Sequence, residues 1–210
     1  MMKKLALFFS LCLCFCLFGT GSAEATREPA PFWVAQFPLQ VESRMAPSQA
    51  VHDRLEKLVD RSMHIPLNGT LKAVRYIPER QCQTAWEAVR SEAGRKARLK
   101  ELMRPLAEKL QADFVVIPIL SGYEQYETMS WHRWGRRITH SYACVQIVGY
   151  DRLKDEAFSK TVSRSFDDEY SSQGDVSTLA YEAMDAALRE AQVHDRIWEM
   201  KRRMVGPADH

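Results

Sequence analysis

Apolar positions in this chain keep a helical rhythm in some stretches and a strand rhythm in others. The sharpest handover lies between Leu106 and Leu120, LAEKLQADFVVIPIL. Leu106 and Leu110 stand four apart on one helical face, Gln111-Ala112-Asp113 makes a short exit, and Phe114-Val115-Val116-Ile117 is an unbroken apolar run. A strand that does not alternate is apolar on both faces, the mark of a central strand with a layer above and a layer below. A helix that passes into such a strand within about three residues is one half of an α/β unit.

Upstream, Phe32 to Val41 is rich in aromatic and β-branched residues and reads as a first strand, ending near Pro38. Pro47-Ser48 offers a helix cap, and Val51, Leu55, Leu58, Val59 and Ser62 follow at helical spacing, with a stop before Pro66. Asn68-Gly69 signals a turn, and Leu71 to Ile77 reads as a second strand closed by Pro78. From Glu79 to Met103 the stripe Cys82, Ala85, Trp86, Val89, Ala93 and Ala97 is helical; Gly94 weakens its middle, and Pro105 kinks it or begins a fresh short helix.

Downstream of the central strand, Tyr123, Gln125, Glu127, Met129 and Trp131 share one side of an alternating run, and Trp131 to Arg137 contains a turn. Thr139 to Tyr150 and Ala157 to Phe166 continue as strands around a turn at Asp151 to Glu156, which makes an antiparallel meander. Asp167 to Gly174 is a polar loop. Val176, Leu179, Ala180, Ala183, Met184, Ala187, Leu188 and Ala191 then form the stripe of a long last helix that ends at Lys201-Arg202-Arg203. The predicted fold class is a single α/β domain: a mixed sheet with parallel amino-terminal strands and an antiparallel carboxyl-terminal meander, flanked by helices.

The amino terminus changes the compartment. Lys3-Lys4, the apolar run Leu5 to Phe18 and Gly19-Thr20-Gly21-Ser22-Ala23 are the three parts of a secretory signal peptide, cut after Ala23. The apolar run is shorter than the roughly 20 residues that span a bilayer. Cys14 and Phe15 stand before Cys16 where a lipobox has small residues. The expected layout is a signal peptide at 1–23, a disordered lead-in at 24–30, one domain at 31–204 and a tail at 205–210, in the periplasm or outside the cell. Cleavage removes two lysines and no acid, so 29 basic against 27 acidic residues become equal numbers. That balance gives no footing for bulk nucleic-acid binding. Cys82 and Cys144 stay with the mature chain and leave a disulfide open, against two buried thiols.

With its order of elements, LAEKLQADFVVIPIL and the later CVQIVGYDRLKDEAF, the stretch from Phe32 to Ala191 resembles a bacterial envelope group. The group comprises the periplasmic domain of curli-secretion lipoproteins, the lipoprotein activators of penicillin-binding proteins and the amino-terminal domain of the TolB translocation protein. Leu110-Gln111-Ala112-Asp113 stands where the group has a Leu-Gly-Ala-Asp-like turn, and Tyr150-Asp151-Arg152 to Asp155 where it has an Asp-containing turn. Pro118 departs from the pattern, since such strands usually run into glycine there. The resemblance implies a non-enzymatic envelope domain that binds or assembles with partners, and it transfers no binding residues.

Motifs of catalysis are missing. The six histidines form no HExxH or CxxC-type grouping, and no G-x-S-x-G, P-loop or G-x-G-x-x-G is present, so no catalytic, metal or cofactor residues are assigned. His132 and His140 are placed to face one another across a hairpin. Arg90, Arg95, Lys96, Arg98, Lys100 and Arg104 make a basic stretch, a solvated helix face or a dock for an anionic polymer or lipid head group. The composition with the clearest functional cast is the first hairpin tip, where Trp131, Arg133, Trp134, Arg136 and Arg137 crowd into seven residues. Trp and Arg are the types most enriched among binding hot spots. The expected function is protein binding in envelope biogenesis or maintenance. A cell-wall glycan or lipid-surface module, and a hydrolase with a motif-free site, are the alternatives.

Overall fold

The computed structural model describes residues 30–94, 97–130, 136–169 and 174–205. The expected signal peptide and nearly all of the lead-in and tail lie outside them. The strands are β1 Phe32–Gln36, β2 Gln40–Val41, β3 Val74–Tyr76, β4 Phe114–Ser130, β5 Arg136–Asp151 and β6 Glu156–Glu169. The helices are α1 Gln49–Met63, α2 Asn68–Leu71, α3 Glu79–Ala93, α4 Leu99–Leu110, α5 Val176–Glu190 and α6 Val193–Val205. Together the strands form one mixed sheet in the order β3-β1-β4-β5-β6, and β2 pairs with β4 beyond the end of β1. β1 is parallel to β3 and to β4, whereas β4, β5 and β6 run antiparallel. The fold class is the one the patterning predicts.

The central strand is apolar on both faces because both are covered. Phe114, Val116 and Leu120 pack with α1, α5 and α6, and Val115, Ile117 and Ile119 pack with α3 and α4. Ser48 caps α1, its hydroxyl accepting the Val51 N–H. Every residue of the expected last-helix stripe, Val176 to Ala191, is buried. Among the described residues no helix is long and apolar enough to cross a membrane.

Several boundaries differ from expectation, each for a local reason. The first strand is two pieces, β1 and β2, because the stretch Phe37-Pro38-Leu39 between them carries a proline with no N–H to give the sheet. The stretch Leu71 to Ile77 yields only three strand residues, because Asn68–Leu71 turns as a short helix between left-handed Leu67 and Lys72. Its anchor is the Asn68 side chain, which exchanges two hydrogen bonds with the Val74 backbone. The helix from Glu79 breaks at Gly94, with φ +75°, and Pro105 lies inside α4 instead of starting it. The central strand and the first strand of the meander are one continuous strand, β4, bent by a register shift between Leu120 and Gly122. The last helix is broken at left-handed Gln192, so α5 and α6 are separate.

Two features of the opening motif acquire physical roles. Val116 and Leu120 direct their carbonyls toward β1 and β2, accepting from Phe37 and from Glu42 and Ser43. Pro118 shares that direction and falls in the gap between β1 and β2, so its missing N–H costs the β5 ladder nothing. Asp113 joins three elements: its carboxylate accepts the Trp33 N–H at 2.9 Å and meets Arg152 at 3.5 Å, while its carbonyl accepts the Arg152 N–H.

Gln111 ends α4 in the left-handed region at φ 52°, with the Ala112 N–H reaching back to the Ala107 carbonyl. That is the position glycine fills at lowest cost. Gln111→Gly is therefore expected to stabilise the protein by about 0.5–1 kcal/mol, read as a higher urea midpoint at unchanged m. A lower midpoint would show that the Gln111 side chain matters more than its backbone.

The disulfide left open by the sequence is not formed. Cys82 and Cys144 are free and buried. Cys82 packs among the α3–α4 residues with its thiol against the Ile77 carbonyl, and burial pushes its pKa up to about 11.

Candidate docking surface

Past the bend at Gly122 the sheet outruns one of its helical layers. β4, β5 and β6 continue as a three-stranded blade with cross-strand rows Gly122–Cys144–Ser163, Glu124–Tyr142–Ser165 and Tyr126–His140–Asp167. One face is tied to the segment that leads into α5. There the Ser141 hydroxyl donates to the Gly174 carbonyl at 2.5 Å, and the Val176 N–H donates to the Gln125 side chain at 3.2 Å. Thr139 and Ser141 are buried on that face.

Among the described residues nothing covers the opposite face. Glu124, Tyr126, Thr128, Tyr142, Ser163 and Ser165 are exposed on it, with Tyr126 at 58% and Tyr142 at 41%. Alternation dictates this set: on a pleated strand every second side chain shares a face. Gly122 belongs to the same row system because nothing larger fits there. A Cβ on it would lie 2.6 Å from the Tyr142 ring and 2.9 Å from the Cys144 Cβ. The Tyr142 ring therefore lies down over the bend. Its phenol titrates above the ordinary value, first through its hydrogen bond with the Cys144 side chain and then through partial burial.

At the centre of the face, three strands contribute one group each to a chain of contacts. The Thr128 hydroxyl lies 2.7 Å from His140 Nε2, and His140 Nδ1 lies 2.7 Å from an Asp167 carboxylate oxygen. The Tyr126 ring stacks on the imidazole at 4.9 Å between centroids and 19° between planes. Carboxylate, imidazole and hydroxyl stand in the order of a hydrolase triad. They stand, however, on an open sheet face, and the clefts found at β1–β3 and between α3 and α4 include none of them. What the chain of contacts does is hold the Tyr126 ring in one orientation across the blade.

Of the residues expected at the hairpin tip, Trp131, Arg133 and Trp134 lie outside the described residues. Arg136 opens β5, and nothing is described of its side chain. Arg137 is exposed and pairs with Glu127 at 3.5 Å, on the face opposite His140. Of the expected His132–His140 pair, His132 lies outside the described residues, and His140 is engaged by Thr128 and Asp167. One member of the basic stretch, Arg104, pairs with Asp155, while Glu92 pairs with Lys109 of α4. Arg90 lies over the Trp86 ring at 5.2 Å, and Arg95 and Lys96 are outside the described residues.

No protein-family model matches the chain, and no curated protein matches it. Solved structures of similar arrangement do exist. The PelC dodecamer of Paraburkholderia phytofirmans is 12% identical over 80% of this chain and 92% of that one, with a TM-score of 0.38. Lipoprotein GNA1162 of Neisseria meningitidis is 12% identical over 77% and 98%, at 0.35. The LpoB carboxyl-terminal domain of Escherichia coli is 12% identical over 63% and 82%, at 0.32. The likeness to such bacterial proteins lies in the general arrangement of sheet and helices, and at these values it reaches no further.

Proposed function

We propose that this is an exported, non-enzymatic envelope protein that binds a protein partner through the open face of the β4–β5–β6 blade. The observation that carries the reading is the exposed pair Tyr126 and Tyr142 on one face, with the Tyr126 ring stacked on a His140 imidazole that Thr128 and Asp167 engage. Tyrosine offers a large amphipathic contact with few rotatable bonds, and a ring already held in place loses little entropy on binding. The signal-type amino terminus and the envelope resemblance supply the compartment. Trp131, Arg133, Trp134 and Arg136 follow directly in the chain, and in this reading they extend the surface, whereas Arg137 lies on the opposite face.

The second reading, a hydrolase, has one observation in its favour: the Thr128–His140–Asp167 chain. Against it, Thr128 is exposed, and among the described residues the clefts at β1–β3 and between α3 and α4 do not include it. A cell-wall glycan would call for an aromatic-lined groove, which the described residues of this face do not form.

The test places a photo-crosslinking residue at position 126 in cells that make the protein, with exposed Lys57 on α1 as the remote control. A discrete protein adduct at 126 and none at 57 is expected. The Tyr126→Ala, Tyr142→Ala double variant should weaken binding to that partner about tenfold or more, with stability changed by less than about 1 kcal/mol. Adducts that a muramidase removes would favour the glycan module. Equal labelling at both positions, or none at either, rejects the surface.

A further inference from the structure

A cleft beside the carboxyl ends of β1 and β3 carries a second kind of chemistry. β1 leads into α1 on one face of the sheet, and its parallel neighbour β3 leads into α3 on the other. Connections that part in this way leave a crevice at the carboxyl ends of the two strands, the place where open α/β sheets hold their ligands. Here the crevice is real, about 300 Å³, and it adjoins a second hollow of about 450 Å³ with Gln36, Asp60 and Tyr76 common to both.

We infer that this cleft binds a small organic cation, an ammonium group on a short apolar stem. Glu56, Asp60 and Glu79 line it, and among the described residues no lysine or arginine does. Glu56 and Asp60 are held from behind. The Leu39 N–H donates to one oxygen of Glu56 at 3.2 Å, and the Gln36 amide donates to one oxygen of Asp60 at 2.6 Å. Asp60 thus keeps a second oxygen for a ligand, whereas the second oxygen of Glu56 lies 3.7 Å from His52 Nδ1. The Tyr76 hydroxyl is turned away, donating to the Met63 carbonyl at 2.9 Å, so the cleft is offered the ring and not the hydroxyl.

The apolar part of the lining decides between an organic cation and a bare metal ion. Phe37, Val59, Ile77 and Pro118 share the cleft with the carboxylates. A hard divalent ion wants six or more converging oxygens and gains nothing from such walls. An alkyl ammonium uses both, burying its methylenes against the walls while its N–H groups meet the carboxylates. Proline at position 118 also acquires a use here, as wall material at the gap between β1 and β2.

The test is calorimetric titration of the purified protein with 1,5-diaminopentane, independent of any blade partner. Saturable one-site binding is expected, weaker when ionic strength rises from about 0.01 to about 0.15 M. Asp60→Asn with Glu79→Gln should lower affinity at least tenfold without moving the thermal midpoint, and Glu190→Gln on α5 should leave it unchanged. No saturable binding by the diamine overturns the inference, as does equal binding by the cleft variant. If calcium chloride binds with the same dependence on Asp60 and Glu79 while the diamine does not, the cleft is a metal site and the inference is wrong.

Discussion

Arg196→Met is expected to cost about 3–5 kcal/mol of stability, the largest loss from any single surface-to-core charge in the described residues. Arg196 is 6% exposed on α6. Its guanidinium reaches Asp151 and Glu156 at 2.9 Å each, donates to the Ala191 carbonyl at 3.1 Å and lies 4.5 Å over the Phe158 ring. Asp151, 1% exposed, has one further donor, the Leu153 N–H at 3.0 Å. Removing the arginine strands a carboxylate in the interior, and that desolvation, not the lost attraction, makes the change severe.

Two companions separate these contributions. Arg196→Met combined with Asp151→Asn should recover much of the loss, because a neutral pair leaves no buried charge. Glu156→Gln should cost less than about 1 kcal/mol, since Glu156 is half exposed. The hydrogen bond from Arg196 holds the Glu156 carboxyl below its ordinary 4.5. A depressed carboxyl stabilises the fold above its unfolded value and loses that contribution as pH falls through the folded one. The acid limb of a stability profile should therefore be shallower in Arg196→Met below about pH 4.5. Urea unfolding at pH 7 decides the main claim, and a loss below about 1 kcal/mol for Arg196→Met would refute it.

The sequence carried the layers well and the joints poorly, and the reason is physical. Apolar periodicity reports burial, and burial in this fold is set by two helical layers on one sheet, so the stripes at α1, α3 and α5 and the two-sided run at Phe114 were all legible. Joints depend on single backbone conformations. Gly94 and Gln192 break helices at positive φ; the apolar stripe runs on past Gly94 to Ala97, whereas the stripe of the last helix stops at Ala191, beside its break. The continuity of β4 was hidden because its surroundings change at Gly122 while its backbone does not. A fully apolar stretch followed by an alternating one reads as two strands, although here it is one strand leaving the body of the molecule.

The candidate surface was legible as a region and not as a set of residues. Composition drew attention to the tip, where tryptophan and arginine are dense. The alternation noted from Tyr123 to Trp131 pointed to one side of the strand, and the aromatic residue that stands bare, Tyr126, is on the other. Which side is covered depends on where the segment before α5 lies, fifty residues away in the chain, and local periodicity holds no record of that. The Thr128–His140–Asp167 chain needs the register of two strand pairs at once. Likewise Asp113 and Asp151, which marked the envelope resemblance, prove to be fasteners between elements, so the shared motif speaks to folding more than to binding.

One strand offers a comparison of the two halves of the molecule under a single set of conditions. Phe114→Ala, at the start of β4, removes a ring that is fully buried and stacked at 5.9 Å on Phe158. The expected loss is about 3–5 kcal/mol, combining the transfer of the ring with the cavity left between two rigid layers. Tyr126→Ala, twelve residues further along the same strand, removes a ring of similar size that is mostly in water. Its expected loss is about 0.5 kcal/mol or less. The two variants should share the parental m value, since neither changes the surface exposed on unfolding by much. Should Tyr126→Ala cost as much as Phe114→Ala, the blade is part of the core in solution and its bare face is covered. Should Phe114→Ala cost little, β4 is not the strand around which the two layers assemble.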